Sequence, residues 1–389
     1  MSGNRNYAKQ LTNIIDYLKR ACELYMCLDH DDCQKAWLLF FFGWAYNTTD
    51  MVIHIRDHYV VTCLSFCCNA LDTDDRFLRE KTVDFLLTAL DADIIDGSRF
   101  VCVSSVVNLI ATIVQKLVII KADDGSTVYS DIPLILGNVF QIGSIPNRSE
   151  LVRIALSSGL MSQLVYWLHS DDAVMVEHIL WLMSHLLRNE QRLAFELESK
   201  YSFIPLVCFH LHSKLYLVVS RALMALHAIL EFSDDIEDDT DLGLVEKYVM
   251  NHPDVLTSIL AALRNALELK QDASSSDISD DEDPMSTLLD YGLRCLEYVI
   301  DFASYDFEEV DLTEDKLAKI RTMQLKVTRI CNTPNMFETL RYLKRLNVEQ
   351  YDVQQLDFQN RLTDIITNFN TALTREKIDY DESYCDADS

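Results

Sequence analysis

Residues 179–188 read ILWLMSHLLR, and residues 134–143 read LILGNVFQIG. Apolar residues recur at helical spacing around the first stretch, at Val174, Ile179, Leu182, Leu186 and Leu187. The same spacing joins Val83, Leu86, Leu87 and Leu90, and, near the start of the chain, Leu11, Ile14, Ile15, Leu18 and Cys22. A stripe repeating every 3–4 residues fits one buried face of a helix. No run alternates with the period of two that a half-buried strand needs. The apolar segments are separated by short polar breaks, including 29–32 (DHDD), 72–75 (DTDD), 122–125 (ADDG) and 169–172 (HSDD). Asp or Ser in such a break can accept hydrogen bonds from the free N–H groups that open the next helix.

The order of segments repeats. A strongly apolar helix is followed by a small polar turn, a short helix, another break and another strongly apolar helix. Aligned on these apolar helices, the chain has reference positions at Gly43, Leu87, Asn138, His185, Ala228 and Glu297, spaced about 44, 51, 47, 43 and 69 residues apart. Armadillo and HEAT repeats run about 40–47 residues. The reading is therefore all-α: an armadillo/HEAT-like α-solenoid superhelix of about seven to eight repeats over residues 7–375, its third helices lining a concave groove. Residues 1–6 are an N-terminal extension. Two acidic loops interrupt the solenoid, at 233–241 (SDDIEDDTD) and within 271–285, where 271–284 reads QDASSSDISDDEDP. The second enlarges the last spacing. Residues 376–389 form an acidic tail, read as disordered.

Composition agrees. Glycine and proline together make 15 of 389 residues, about 4 %, against about 12 % on average. That is too few for a turn-rich sheet protein or for a glycine-clustered phosphate loop. The formal net charge is −27, which disfavours nucleic acid and anionic membranes and favours basic partners. The N-terminus has no apolar signal-peptide core, and Phe100–Ile120 carries Ser104, Ser105, Asn108, Gln115 and Lys116, which a membrane helix would bury at a cost. The 11 cysteines sit among apolar positions, as core residues of a reducing compartment do. Cytosol, nucleus or both are expected. Cys63, Cys67 and Cys68 with His54 and His58, and Cys22, Cys27 and Cys33 with His30, lack the spacing of a zinc site and read as packing. No nucleophile, phosphate-loop or zinc-protease motif is present, so neither an enzyme nor a cofactor is expected.

One part of the chain resembles importin-α. LILGNVFQIG, followed by Glu150-Leu151-Val152 and Ser157-Ser158-Gly159-Leu160, is similar to that family's WALGN-type helix, loop and small-residue turn. About 47 residues on, Ile179–Arg188 is similar to its WALSNLCR helix. The likeness spans about residues 125–235. It implies a groove in which a Trp stacks on Lys or Arg stems and an Asn one helical turn later clamps the backbone of an extended peptide. Carried over by position, Asn138 holds the Asn place with Leu134 in the Trp place. Trp181 holds the Trp place with His185 in the Asn place, and Glu297 stands at the Asn place further on. No repeat keeps both members, and the basic N-terminal arm of that family has no counterpart.

Two functions remain open. One is a non-enzymatic armadillo scaffold, possessing an importin-α-like ancestry, that holds a dedicated protein partner through its groove. The other is a nuclear-import adaptor that recognises basic localisation peptides. The partner-binding candidates are Leu134, Asn138, Trp181, His185 and Glu297, and the partners are basic or extended protein segments. Tyr166 and Trp167 are assigned to packing between repeats. Ser274, Ser276 and Ser279 stand among acids, in the pattern acidophilic kinases favour; phosphorylation would deepen the negative charge.

Overall fold

The computed structural model describes residues 64–72, 76–90, 104–120, 130–141, 148–189, 191–231, 254–272, 284–306, 313–346 and 355–375. Every regular element among them is a helix. Outside them lie the extension 1–6, the apolar stripe at Leu11–Cys22, Gly43, both cysteine–histidine groups apart from Cys67 and Cys68, the breaks 29–32 and 122–125, the acidic loop 233–241, residues 273–283 of the second acidic loop with Ser274, Ser276 and Ser279, and the tail 376–389. The ends of that second loop, 271–272 and 284–285, are helical rather than loop, with Met285 buried. By contact the chain divides into two compact units, Met1–Leu182 and Met183–Ser389.

In the first unit the helices are α1 (Arg76–Ala89), α2 (Ser104–Ile119), α3 (Ile132–Gln141), α4 (Arg148–Ser157), α5 (Leu160–Leu168) and the larger part of α6 (Ala173–Asn189). α1 packs on α3, and α2 packs on α4 and α5. The helical stretch 64–71 lies against α2, where the Lys116 ammonium donates to the Cys68 carbonyl at 3.1 Å and pairs with Asp72. The turn expected at Ser157-Ser158-Gly159 is present. Gly159 has φ 98°, a left-handed conformation that a Cβ would strain, and the chain bends by 70° there between α4 and α5. The break before α6 caps it as expected: the Asp172 carboxylate accepts from the Val174 N–H at 3.0 Å. Buried Leu160, Leu164, Trp167 and Leu168 form the inner face of α5. Tyr166 falls between them, two positions from Leu164, and so faces outward, 67 % exposed. This corrects its assignment to packing; Trp167 is in the core.

The second unit holds the rest of α6, α7 (Gln191–Tyr201), α8 (Phe203–His210), α9 (Tyr216–Glu231), α10 (Asp254–Asp272), α11 (Pro284–Ser304), α12 (Glu314–Cys331), α13 (Pro334–Arg345) and α14 (Gln355–Arg375). Two rows emerge. One runs α8, α10, α13, and the other α9, α11, α14. The second row consists of the strongly packed helices that end each repeat, which we call third helices; α1, α3 and α6 are their counterparts earlier in the chain. α11 approaches its neighbours closely at Gly292, where an added Cβ would lie 2.5 Å from Leu263. α14 was not one of the apolar reference helices. It nevertheless buries Phe358, Leu362, Ile365, Phe369, Ala372 and Leu373 along one face, at about 1.5–3 kcal/mol for each large side chain. Thr333 caps α13, accepting from the Met336 N–H at 3.3 Å, with Pro334 at the first helical position.

Cysteines fill core space. Cys67, Cys68, Cys208, Cys295 and Cys331 are free thiols and buried. Burial pushes the Cys68 thiol up to about 11, and those of Cys208 and Cys331 up to about 12. No single described helix is long and apolar enough to cross a membrane.

Candidate functional site

Three of the five expected partner-binding residues lie in the first unit, on α3 and α6. Leu134 is half-buried and Asn138 is 8 % exposed, one turn apart on α3. Trp181 is half-buried on α6. The six-membered part of its ring rests against α3 at Gly137, where an added Cβ would sit 2.0 Å from indole Cζ3. The residue beside Asn138 must therefore be glycine for the indole to rest where it does. A second contact fixes the same helix pair: His178, three residues before Trp181, places Nδ1 2.7 Å from the Ser130 carbonyl, with the Asp131 carboxylate 3.9 Å away. Burial raises the Asp131 pKa above its ordinary value, His178 pulls it down, and Asp84 and Asp172 push it up further. The sequence separately proposed an Asn without its Trp and a Trp without its Asn. Packing seats that Trp against Gly137, the residue that precedes that Asn on α3.

The Asn138 amide has no hydrogen-bond partner among the described residues. An amide inside an apolar helix normally finds one, so its donors and acceptor are left to solvent or to a ligand. His185 is half-buried one turn beyond Trp181, in the second unit.

The second unit presents a different surface. α11 displays Asp290, Arg294, Glu297 and Asp301 along one edge and Tyr291 and Tyr298 along the adjacent one, with Tyr305 just past its end. Glu297, the remaining expected residue, does not stand alone. The Arg361 guanidinium on α14 donates to Glu297 at 2.7 Å and to Asp290 at 2.6 Å. Arg294 also donates to Asp290, at 2.8 Å, and sits 5.8 Å from the Tyr291 ring centroid. The Tyr291 ring meets that of His227 edge-on at 5.5 Å. Asn368 donates to Asp301 at 2.8 Å, and burial raises the Asp301 pKa against that hydrogen bond. Burial disfavours the charged Arg361, but the hydrogen bonds it donates to Glu297 and Asp290, with the attraction of the two carboxylates, outweigh it and raise its pKa. Arg375 closes the seam by donating to the carbonyls of Ala303, Ser304 (3.2 Å) and Tyr305 (3.0 Å) at the end of α11. The tyrosines recur every seven residues, a signal present in the sequence. The pairing with α14 was not legible, because it joins residues 64–72 apart.

These groups can stack, donate and accept. Among the described residues there is no group of three or more His, Cys, Asp or Glu that could hold a metal ion. A cavity of about 590 Å³ opens beside the seam, lined by Ser304, Asp306, Thr367, Asn370, Thr371, Thr374 and Arg375.

No protein-family model matches this sequence, and no curated protein matches it. Solved structures do. A designed armadillo repeat protein in complex with the peptide (KR)4 is similar at a TM-score of 0.50 and 15 % identity, over 79 % of this chain and 99 % of that one. Computationally designed armadillo repeat proteins for modular peptide recognition are similar at 0.50 and 12 % identity, over 79 % and 100 %. An engineered protein is similar at 0.50 and 15 % identity, over 79 % and 97 %. At these identities the likeness is one of fold. The chain folds as an all-helical solenoid of the armadillo type.

Proposed function

We propose that this protein is a non-enzymatic scaffold of the cytoplasm or nucleus that holds a dedicated protein partner on the faces of its third helices, a use of the armadillo surface descended from an importin-α-like adaptor. The observation that carries this reading is the arrangement of Asn138 and Trp181. An unpartnered amide beside a half-exposed indole is a ready hydrogen-bonding and stacking site for an extended segment of another chain. The acids of α11 argue for a dedicated partner. A Lys- or Arg-rich peptide arriving at Asp290 and Glu297 would have to displace Arg361 and Arg294, which already sit there at hydrogen-bonding distance.

The second reading is a nuclear-import adaptor for basic localisation peptides. It is favoured by the open Asn138 amide and by the fold's likeness to a designed protein solved with (KR)4. Titration of a fluorescent basic localisation peptide at physiological salt separates the two. The scaffold reading expects no binding at about 100 μM protein, while a partner captured from cell extract is lost with Asn138→Ala and Trp181→Ala but kept with a substitution on exposed Tyr166. Low-micromolar peptide binding abolished by Asn138→Ala would establish the adaptor instead.

A further inference from the structure

The chain carries 34 Lys and Arg against 61 Asp and Glu, yet one stretch reverses the balance. Residues 316–345 hold Lys316, Lys319, Arg321, Lys326, Arg329, Arg341, Lys344 and Arg345 against the single acid Glu338. Four of these cations project from one helix. On α12, Lys319, Arg321, Lys326 and Arg329 are exposed, with the small side chains of Ala318 and Thr322 between them. Lys319 and Lys326 are seven residues apart and share a line along the helix. The opposite face is buried through Ile320, Met323, Gln324, Val327 and Cys331. Neither Lys326 nor Arg329 makes an ion pair with a described residue. A row of cations with low relief is suited to an extended acidic segment.

The chain supplies such a segment close by. Residues 376–389 contain Glu376, Asp379, Asp381, Glu382, Asp386 and Asp388 against Lys377 alone. Their point of departure is fixed. The Arg375 guanidinium donates to the Tyr305 carbonyl at 3.0 Å, and the Gln324 amide of α12 donates to that same oxygen at 2.8 Å. The end of α14 is thus pinned beside the middle of α12. Fourteen residues span at most about 46–50 Å, whereas the 18 residues of α12 are about 27 Å long. A tethered segment also has an advantage over a free one. An acidic protein in solution must approach a molecule of net charge −27, and like charge slows that encounter. A segment attached a few residues away is present at an effective concentration in the millimolar range.

We propose that the acidic segment 376–389 docks in cis on the basic face of α12, where its carboxylates pair with Lys326 and Arg329. This proposal does not depend on the third-helix reading, since α12 lies outside that row.

The test uses the full chain. A zero-length carbodiimide joins a lysine to a carboxylate that touches it, and peptide mass spectrometry locates the joint. At physiological salt Lys326 should be joined to an acid between Asp379 and Asp388, within one chain when labelled and unlabelled protein are mixed. The joint should disappear in 1 M NaCl, where screening is strong. The variant Lys326→Glu with Arg329→Glu should lose it too, and tryptic cleavage after Lys377 should become several-fold faster. A free peptide of sequence 376–389 should bind a variant whose segment is neutralised (Asp379→Asn, Asp381→Asn, Glu382→Gln, Asp386→Asn, Asp388→Asn) at least about tenfold more tightly than it binds the parent, whose site is occupied at millimolar effective concentration. Joints formed only between chains, an unchanged cleavage rate, or equal peptide binding by variant and parent would overturn docking in cis. Equal tight binding would assign the face to an acidic partner in trans.

Discussion

Substitution of Gly137 by Ala tests whether Trp181 rests on α3 as the structure has it. In a helix interior Gly→Ala normally stabilises by about 0.5–1 kcal/mol, because alanine loses less backbone entropy. Here the new Cβ would lie 2.0, 2.6 and 2.9 Å from three indole carbons. No rotation of a methyl relieves that, so the indole must shift, at an overpacking cost of about 1–3 kcal/mol. The net expectation is destabilisation by about 0.5–2 kcal/mol. Removing the indole reverses the sign. In a Trp181→Ala background the space above Gly137 is open, and Gly137→Ala should stabilise by about 0.5–1 kcal/mol. The coupling between the two sites is then about 1–3 kcal/mol, well outside the range for independent positions. Urea unfolding followed by circular dichroism at 222 nm, on the parent, the two single variants and the double variant, gives all four corners. A Gly137→Ala effect of the same sign and size in both backgrounds would refute the contact, and with it the placing of Trp181 beside Asn138.

Three further outcomes are expected. Arg361→Met removes the guanidinium shared by Asp290 and Glu297 and leaves two carboxylates facing each other. Because all three groups are about a third exposed, the loss should be about 1–2 kcal/mol rather than the larger cost of a fully buried pair; adding Glu297→Gln should restore part of it, and additive effects of the two changes would contradict the bridge. Asp131→Asn should stabilise the protein at pH 7. Burial raises the folded pKa of Asp131 above 3.8, so the native state holds the proton more tightly than the unfolded one, and that contribution is complete below pH 3.8 and lost as pH rises through the folded value. The advantage of the Asn variant should therefore vanish below pH 3.8, and an advantage that grew on acidification would show the sign to be wrong. Cys208 and Cys331, with pKa values near 12, should resist a thiolate-seeking reagent at pH 8 and react only on unfolding; labelling of either site in the native protein, read by peptide mapping, would contradict their burial.

Much of the fold was written in period and recurrence. The stripe at Val83, Leu86, Leu87 and Leu90 and that at Val174, Ile179, Leu182, Leu186 and Leu187 predicted helices, and the structure buries those residues except Leu87, which is half-buried, and Val174, which is 49 % exposed. The turn at Gly159 and the cap at Asp172 were readable because each rests on one local residue type. α14 was missed as a third helix because its exposed face is dense in Thr, Asn and Asp, which dilutes the apolar stripe carried by Phe358, Leu362, Ile365 and Phe369. Tyr166 was misassigned because apolar character says nothing about direction; only the phase of Leu160, Leu164 and Leu168 does.

The candidate surface was legible in its members and illegible in its pairings. Asn138 drew notice because an Asn in an apolar helix needs a reason, and Trp181 because an indole at a third-helix position can face outward. Their adjacency depends on Gly137 being small enough to receive the ring, a relation that links residues 44 apart and leaves no local mark. Glu297 shows the converse. By position it matched a ligand-clamping site, but Arg361, 64 residues further on, already fills its acceptor. Net charge had the same limit. A value of −27 suggests a surface waiting for basic ligands, yet the acids of α11 are engaged by Arg294, Arg361 and Asn368. A group already paired offers an incoming cation only the difference between two similar contacts, which is small. Specificity on such a surface must come from shape and from groups still unpaired, and that turns attention from the acids of α11 to the Asn138 amide and the Trp181 ring.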